Sequence, residues 1–124
     1  TLGIPPAQIA PFVAQRIGLA KARRIMLTAA RFTGKEAFEM GLADFIAKDA
    51  NDLKNIESDI IKGVMNCAPG ANAITKEIVL ATRHLERSEM IDFAAKGFAE
   101  RMLSDEGREG IASFIEKRKP KWSK

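Results

Sequence analysis

Residues 105–122 read DEGREGIASFIEKRKPKW, and the order of acid, glycine, apolar residue and base in this stretch decides how the chain is read. Asp105 and Glu106 open a helix, where negative charge suits the positive end of the helix dipole. Ile111, Phe114 and Ile115 supply its apolar face, and Pro120 closes it. Asp105 therefore reads as a capping residue rather than a catalytic acid. Beyond the face, Lys117, Arg118, Lys119, Lys121 and Lys124 crowd the end of the chain. Such a tail attracts anions, phosphates included, and a solvated basic tail is its simplest meaning.

Working back towards the N-terminus, the pattern stays helical almost throughout. Ser88 is a good N-cap for a stripe of Ile91, Ala95, Phe98 and Met102. Arg87 and Ser88 mark the turn before it, and Ile74, Ile78, Ala81 and Leu85 mark the preceding helix. Asn51 can cap a long helix carrying Leu53, Ile56, Ile60 and Val64, which Pro69 and Gly70 end. Leu42 to Ala47 fits a short strand best. Thr33 with Glu36 three residues on is a capping box, and Gly41 ends that short helix. Ile25, Met26 and Ala29 share one side of a helix over residues 20–30. Pro5, Pro6 and Pro11 force any first helix to start late or to hold a proline in its first turn, and Gly18 stops it.

This gives an all-α chain of about six helices with one possible short strand, without internal repeats or a long linker. Ile60 with Ile61, Val64 with Met65, and the run Ile78, Val79, Leu80 carry more apolar surface than one core face can absorb. A helical layer with that surplus is expected to pack on something else.

The chain has 124 residues, 46% hydrophobic and 29% charged, with a net charge of +4. That is the balance of a globular protein, and no apolar run approaches the ~20 residues of a membrane span. No leader sequence is visible. The single cysteine, Cys67, cannot form an internal disulfide, so a reducing, cytoplasmic location and a buried filler role are the expectation. His84 is the sole histidine and there is no tyrosine. A lone imidazole near a helix C-terminus is weak grounds for a metal site. GxSxG, HExxH, CxxC and phosphate-binding glycine loops are all missing from the sequence, and Asp105 and Glu106 lie where a raised pKa is not expected. The residues present form no convincing active site, and neither a metal nor a separate cofactor is expected.

Four segments in register nevertheless resemble the enoyl-CoA hydratase/isomerase (crotonase) family. They are the turn LGIPPAQIAP, residues 2–11; TAARFTGKEAFEMGLAD, residues 28–44, with Ala29 where the family usually has glycine; the helix around Ala73 and Lys76; and the terminal EGIASFIEKRKPKW, residues 109–122. The resemblance covers residues 1–124 and implies the multi-helix C-terminal domain of a crotonase-like fold. Residues 1–18 would follow the active-site region, and residues 88–119 would contact CoA and form the oligomer.

The implied enzyme acts on an acyl-CoA thioester through an enolate that backbone N–H groups of an oxyanion hole stabilise. One or two glutamates serve as general acid and base. The resemblance places both devices in an N-terminal ββα half ahead of Thr1, so no catalytic residue is assigned within this chain. It is expected to be inactive alone, and to form a trimer or dimer of trimers in the full enzyme of fatty acid metabolism.

By register, Phe98 and Lys117 would line the adenine and phosphate end of CoA, with Arg118 and Lys119 able to share the role. A core phenylalanine and a solvated lysine remain open beside those roles. Pro5, Pro6, Ala7 and Gln8 would border the pocket. Pro6 has no N–H to offer there, and the PPAQIAP variant resembles hydratases of branched or glutaconyl-type acyl-CoAs. Two other readings stand beside this one: a non-catalytic helical interaction module, which the surplus apolar surface fits equally, and nucleic-acid binding through the basic tail. The latter lacks interleaved aromatics until Trp122, and neither nucleic acid nor membrane is an expected partner.

Overall fold

A computed structural model describes residues 3–123. Among them are seven helices: α1 (Ala10–Ile17), α2 (Leu19–Leu27), α3 (Gly34–Glu39), α4 (Ala50–Met65), α5 (Pro69–Ala81), α6 (Arg87–Met102) and α7 (Asp105–Ile115). The described residues contain no strand. The chain divides into two compact units, residues 1–56 and 57–124, with the division falling inside α4.

In the first unit Pro11 sits in the first turn of α1, and Gly18 at φ 80° ends it. α2 starts at once and packs on α1, burying Ala22 and Ile25. The capping box of α3 forms as its sequence requires: Thr33 N–H donates to Glu36 Oε2 at 2.7 Å, and Glu36 N–H donates to Thr33 Oγ1 at 3.3 Å. Residues 42–47 are not a strand. Leu42 and Ala43 N–H both donate to Ala37 O, at 2.8 and 3.2 Å, closing the end of α3, and no second strand is there among the described residues to pair with them.

The cap of α4 is Asp49, two residues before the expected Asn51: its Oδ1 accepts from Asn51 and Asp52 N–H at 2.8 and 2.9 Å. In the second unit Pro69 opens α5 instead of ending α4. The start of α6 likewise lies earlier than Ser88, at the N-cap Glu86, where Glu89 Oε2 accepts the Glu86 N–H at 3.1 Å. Ser104, not the expected Asp105, caps α7: its Oγ accepts from Gly107 N–H at 3.1 Å, and Asp105 is the first residue inside the helix.

α5 and α6 approach closely at Gly97. A Cβ there would lie 2.7 Å from Ile74 Cγ1 and 3.0 Å from its Cδ1. The face of α6 turned to its neighbours is accordingly Met90, Phe93, Ala94, Gly97 and Arg101, all buried or half-buried. The larger stripe that the sequence points to, Ile91, Phe98 and Met102, stays exposed.

Little is fully buried. Among the described residues Ala22, Ile25 and Ala81 form the buried apolar core without being sealed completely, while Phe114 is 85% exposed and Leu27 81%. Total accessible area is 10232 Å². Large apolar side chains, Phe12, Leu19, Phe98 and Phe114 among them, lie on that exposed surface. Cys67 is exposed rather than a buried filler: it lies in the turn past the end of α4, its Sγ turned back to Gly63 O at 3.4 Å.

Candidate functional site

Two places hold the residues of interest. The first is the turn before α1. Ala7 N–H donates to Pro5 O at 2.9 Å, and Ile9 and Ala10 N–H donate to Pro6 O at 3.2 and 2.9 Å. Prolines at positions 5 and 6 supply carbonyls to this turn and no N–H. Pro5, Pro6, Ala7 and Gln8, with Ile9, line an open pocket of about 390 Å³ and are all exposed. Leu2, the start of the turn motif, and Thr1 before it lie outside the described residues. A second, almost wholly apolar pocket of about 310 Å³ follows from Pro6 along Ala10, Ala14, Leu19 and Ala22.

The turn is tied to the rest of the first unit through α1. Arg16 Nε donates to Gly41 O at 3.0 Å, and its guanidinium pairs with Asp44. Lys21 Nζ donates to Met40 O at 3.2 Å. The three contacts fix the end of α3 against α1 and α2.

The second place is the end of the chain. α7 stops in a Schellman motif: Lys117 N–H donates to Phe114 O at 3.3 Å, and Arg118 N–H to Ser113 O at 3.0 Å. Lys117 takes the left-handed position with φ 53°, usually a glycine place. For a side-chain-bearing residue this costs about 1 kcal/mol. Pro120 thus follows the stop and does not cause it. The same motif closes α3 at Gly41, φ 82°, and α2 at Ala29, φ 48°. Ala29, unlike Gly41, carries a Cβ at that place, so its backbone is strained.

Arg118 is not free for a ligand. Its Nη1 and Nη2 donate to Glu109 Oε1 and Oε2 at 2.5 and 3.1 Å, and its Nε to Glu116 Oε2 at 2.5 Å. Glu109 Oε1 also accepts from Lys121 N–H at 3.0 Å. The Arg118 hydrogen bond, with that backbone donor, holds the Glu109 carboxyl below the usual glutamate range, while its own burial opposes this. The two carboxylates hold the Arg118 guanidinium still more firmly protonated than usual.

Further along, Trp122 Nε1 donates to Asn66 O at 3.2 Å and Ser123 Oγ to Asn66 Oδ1 at 2.9 Å, docking the tail on the end of α4. Lys124 lies outside the described residues.

Phe98, 67% exposed, is not a core residue of this chain. Lys117 is exposed, and its ammonium makes no ion pair among the described residues. No described interaction joins Phe98 to Lys117. His84 lies exposed in the turn after α5.

Glu106 serves the fold: its Oε2 accepts the Gly70 N–H at 2.8 Å, satisfying the first turn of α5. Asp105 pairs with Arg108 at 2.8 Å, which lowers its carboxyl below the usual range. Neither is placed as a general acid. Among the described residues no group of His, Cys, Asp and Glu could hold a metal, and no helix is long and apolar enough to cross a membrane.

The chain and its architecture find their counterpart in known proteins. The family description enoyl-CoA hydratase/isomerase matches residues 1–124, and the chain belongs to that family. A peroxisomal Δ(3,5)-Δ(2,4)-dienoyl-CoA isomerase of Arabidopsis thaliana is 31% identical over 87% of this chain and 39% of its own length. The solved structure of Pseudomonas aeruginosa AtuE superposes with a TM-score of 0.95 at 49% identity, over 99% of this chain and 48% of that one.

An enoyl-CoA hydratase/isomerase from Marinobacter aquaeolei gives a TM-score of 0.94 at 39% identity, over 99% of this chain and 47% of its own. The chain spans less than half the length of these relatives. Its all-helical content is that of the C-terminal helical part of the crotonase fold.

Proposed function

We propose that this chain works as the C-terminal helical part of an enoyl-CoA hydratase/isomerase. There it covers the acyl-CoA pocket, contributes Phe98 and Lys117 to CoA binding, and carries part of the oligomer interface. The observation that supports this most is the surplus of exposed apolar area. Phe12, Leu19, Phe98, Phe114 and Ile115 are large apolar residues open to water, and exposed apolar surface of this kind marks a place where another body packs.

In this reading the oxyanion hole and the carboxylates that move protons reside in an N-terminal half. An enolate forming on the thioester would be stabilised there by preorganised N–H donors. This chain supplies binding: an aromatic surface at Phe98 suits the adenine ring, and the Lys117 ammonium suits a phosphate. The turn Pro5–Gln8 borders the pocket, and a location in the cytoplasm and a trimer or dimer of trimers complete the proposal.

The chain alone, assayed with crotonyl-CoA and branched analogues, is expected to give no turnover. Grafted in place of the matching segment of the Marinobacter aquaeolei enzyme, it is expected to give a folded oligomer that hydrates or isomerises enoyl-CoA. A folded graft without acyl-CoA binding would overturn the proposal, as would turnover that tracks with the purified chain.

A further inference from the structure

We propose that the Glu109–Arg118 ion pair is a positioning device for Lys117, holding the left-handed turn so that the lysine ammonium is presented to the phosphates of CoA. The inference rests on the reading of Lys117 as a CoA contact and adds to it the residues that make the contact effective.

Three Schellman turns in one chain allow a comparison. At Gly41 the left-handed place is filled by the residue that adopts it freely. At Ala29 it is filled by a small residue that brings no functional group. Only at residue 117 does this place carry a long cationic side chain, and a strained backbone that persists needs surroundings that over-determine it.

Those surroundings are present. Glu109, whose side chain is only 13% exposed, receives both Arg118 Nη1 and Nη2, and it also receives the Lys121 N–H. Arg118 Nε reaches back to Glu116 and its Nη1 to Lys119 O at 3.2 Å. The residues on either side of Lys117 are thus tied into one network anchored on α7. Lys117 lies inside that frame with its own ammonium unpaired among the described residues.

The frame occupies two of the tail's cations. It neutralises Arg118 fully and Lys121 in part, with Lys121 Nζ at 3.9 Å from Glu109 Oε2. The cationic charge at residue 117 remains available on a backbone fixed in one conformation. A flexible lysine loses more conformational entropy on binding than one whose backbone is already set. Removing the clamp should therefore weaken phosphate binding without touching the reacting centre.

The test uses the enzyme graft for binding and turnover and the full chain for stability, with butyryl-CoA and butyryl-pantetheine, which lacks the phosphates, as probes. Lys117→Gly is expected to raise the denaturation midpoint of the chain while weakening butyryl-CoA binding about tenfold and leaving butyryl-pantetheine unchanged. Glu109→Gln and Arg118→Lys, the latter unable to form the two-pronged contact, are each expected to raise KM for the CoA thioester several-fold with kcat unchanged.

The decisive measurement is the double-mutant cycle. In a Lys117→Ala background, Glu109→Gln should have no further effect on KM. Additive losses, or a fall in kcat with Glu109→Gln, overturn the clamp while leaving Lys117 as a contact. An unchanged butyryl-CoA affinity in Lys117→Ala removes the contact itself, and the clamp with it.

Discussion

Gly97 gives the most direct test of how the second unit is packed. A methyl group added there meets Ile74 Cγ1 at 2.7 Å and Ile74 Cδ1 at 3.0 Å, with Ile78 Cδ1 at 3.7 Å. Carbon atoms rest about 3.5–4.0 Å apart, so Ile74 or the helix carrying it must move by nearly an ångström. Forcing a methyl into such a contact costs about 1–3 kcal/mol. Against this, alanine is better than glycine inside a helix by about 1 kcal/mol. Gly97→Ala should therefore be neutral to destabilising by up to about 2 kcal/mol once both effects are counted.

Gly63 is the matching control. It lies inside α4, and a Cβ there meets nothing within 4 Å. Gly63→Ala should stabilise by the propensity gain alone, about 1 kcal/mol. The two variants then differ by about 1–3 kcal/mol, a difference from which propensity cancels. Urea unfolding followed by far-UV circular dichroism measures it: with m of about 1–2 kcal/mol/M, the midpoints separate by on the order of 1 M. In an Ile74→Ala background the penalty at Gly97 should largely vanish, since both close contacts are gone. If Gly97→Ala raises the midpoint as much as Gly63→Ala does, the close approach of α5 and α6 is wrong.

Ala29→Gly should stabilise by about 0.5–1 kcal/mol, because relief of the left-handed strain exceeds the entropy that glycine adds to the unfolded chain; thermal denaturation reads this, and a lowered Tm contradicts it. Ser104→Ala should cost about 1 kcal/mol through loss of the N-cap, detectable as a lower urea midpoint. The Glu109 pair carries a pH signature. Its folded pKa is depressed, so its contribution is full above the ordinary glutamate value of about 4.3 and disappears as pH falls through the lower folded value. Trp122 fluorescence, reporting the docked tail, should therefore stay flat from pH 7 to about 4.5 and change only below that; a transition near pH 6 would rule out Glu109 as the anchor. Finally, the isolated chain should bind the apolar dye ANS strongly, and the enzyme graft should not; weak dye binding by the chain would mean that its apolar faces are already covered.

The helix inventory was largely legible because capping and stop signals are local. Thr33 with Glu36, the stop at Gly18 and the opening of α7 at Asp105 each follow from a few adjacent residues, and each is seen. Errors arose where two capable residues stood close together. Asp49 and Asn51 can both cap a helix, and the choice turns on which carboxylate or amide reaches free N–H groups. Ser88 lost to Glu86 in the same way, since the reciprocal bond from Glu89 adds support at the earlier position. The expected strand at residues 42–47 failed for a non-local reason: extended backbone needs a neighbour, and here its N–H groups close α3 instead.

The site was less legible, and the reason is general. Ile91, Phe98 and Met102 recur at the spacing of a buried face, yet they are exposed, because periodicity records that a face is apolar and not whose surface covers it. What distinguishes the two faces of α6 is size. Gly97 lets α5 approach, and Ile74 fills the space that a side chain would need, so the small face packs within the unit and the larger one is left for another body. The pairing of Arg118 with Glu109 was equally hidden, since nine residues is no helical repeat and the contact exists only because the chain reverses at Lys117. A basic tail that looked like interchangeable charge thus contains one arginine committed to structure and two lysines, Lys117 and Lys119, without an ion pair among the described residues, and the backbone turn at Lys117 sets the first of these two apart.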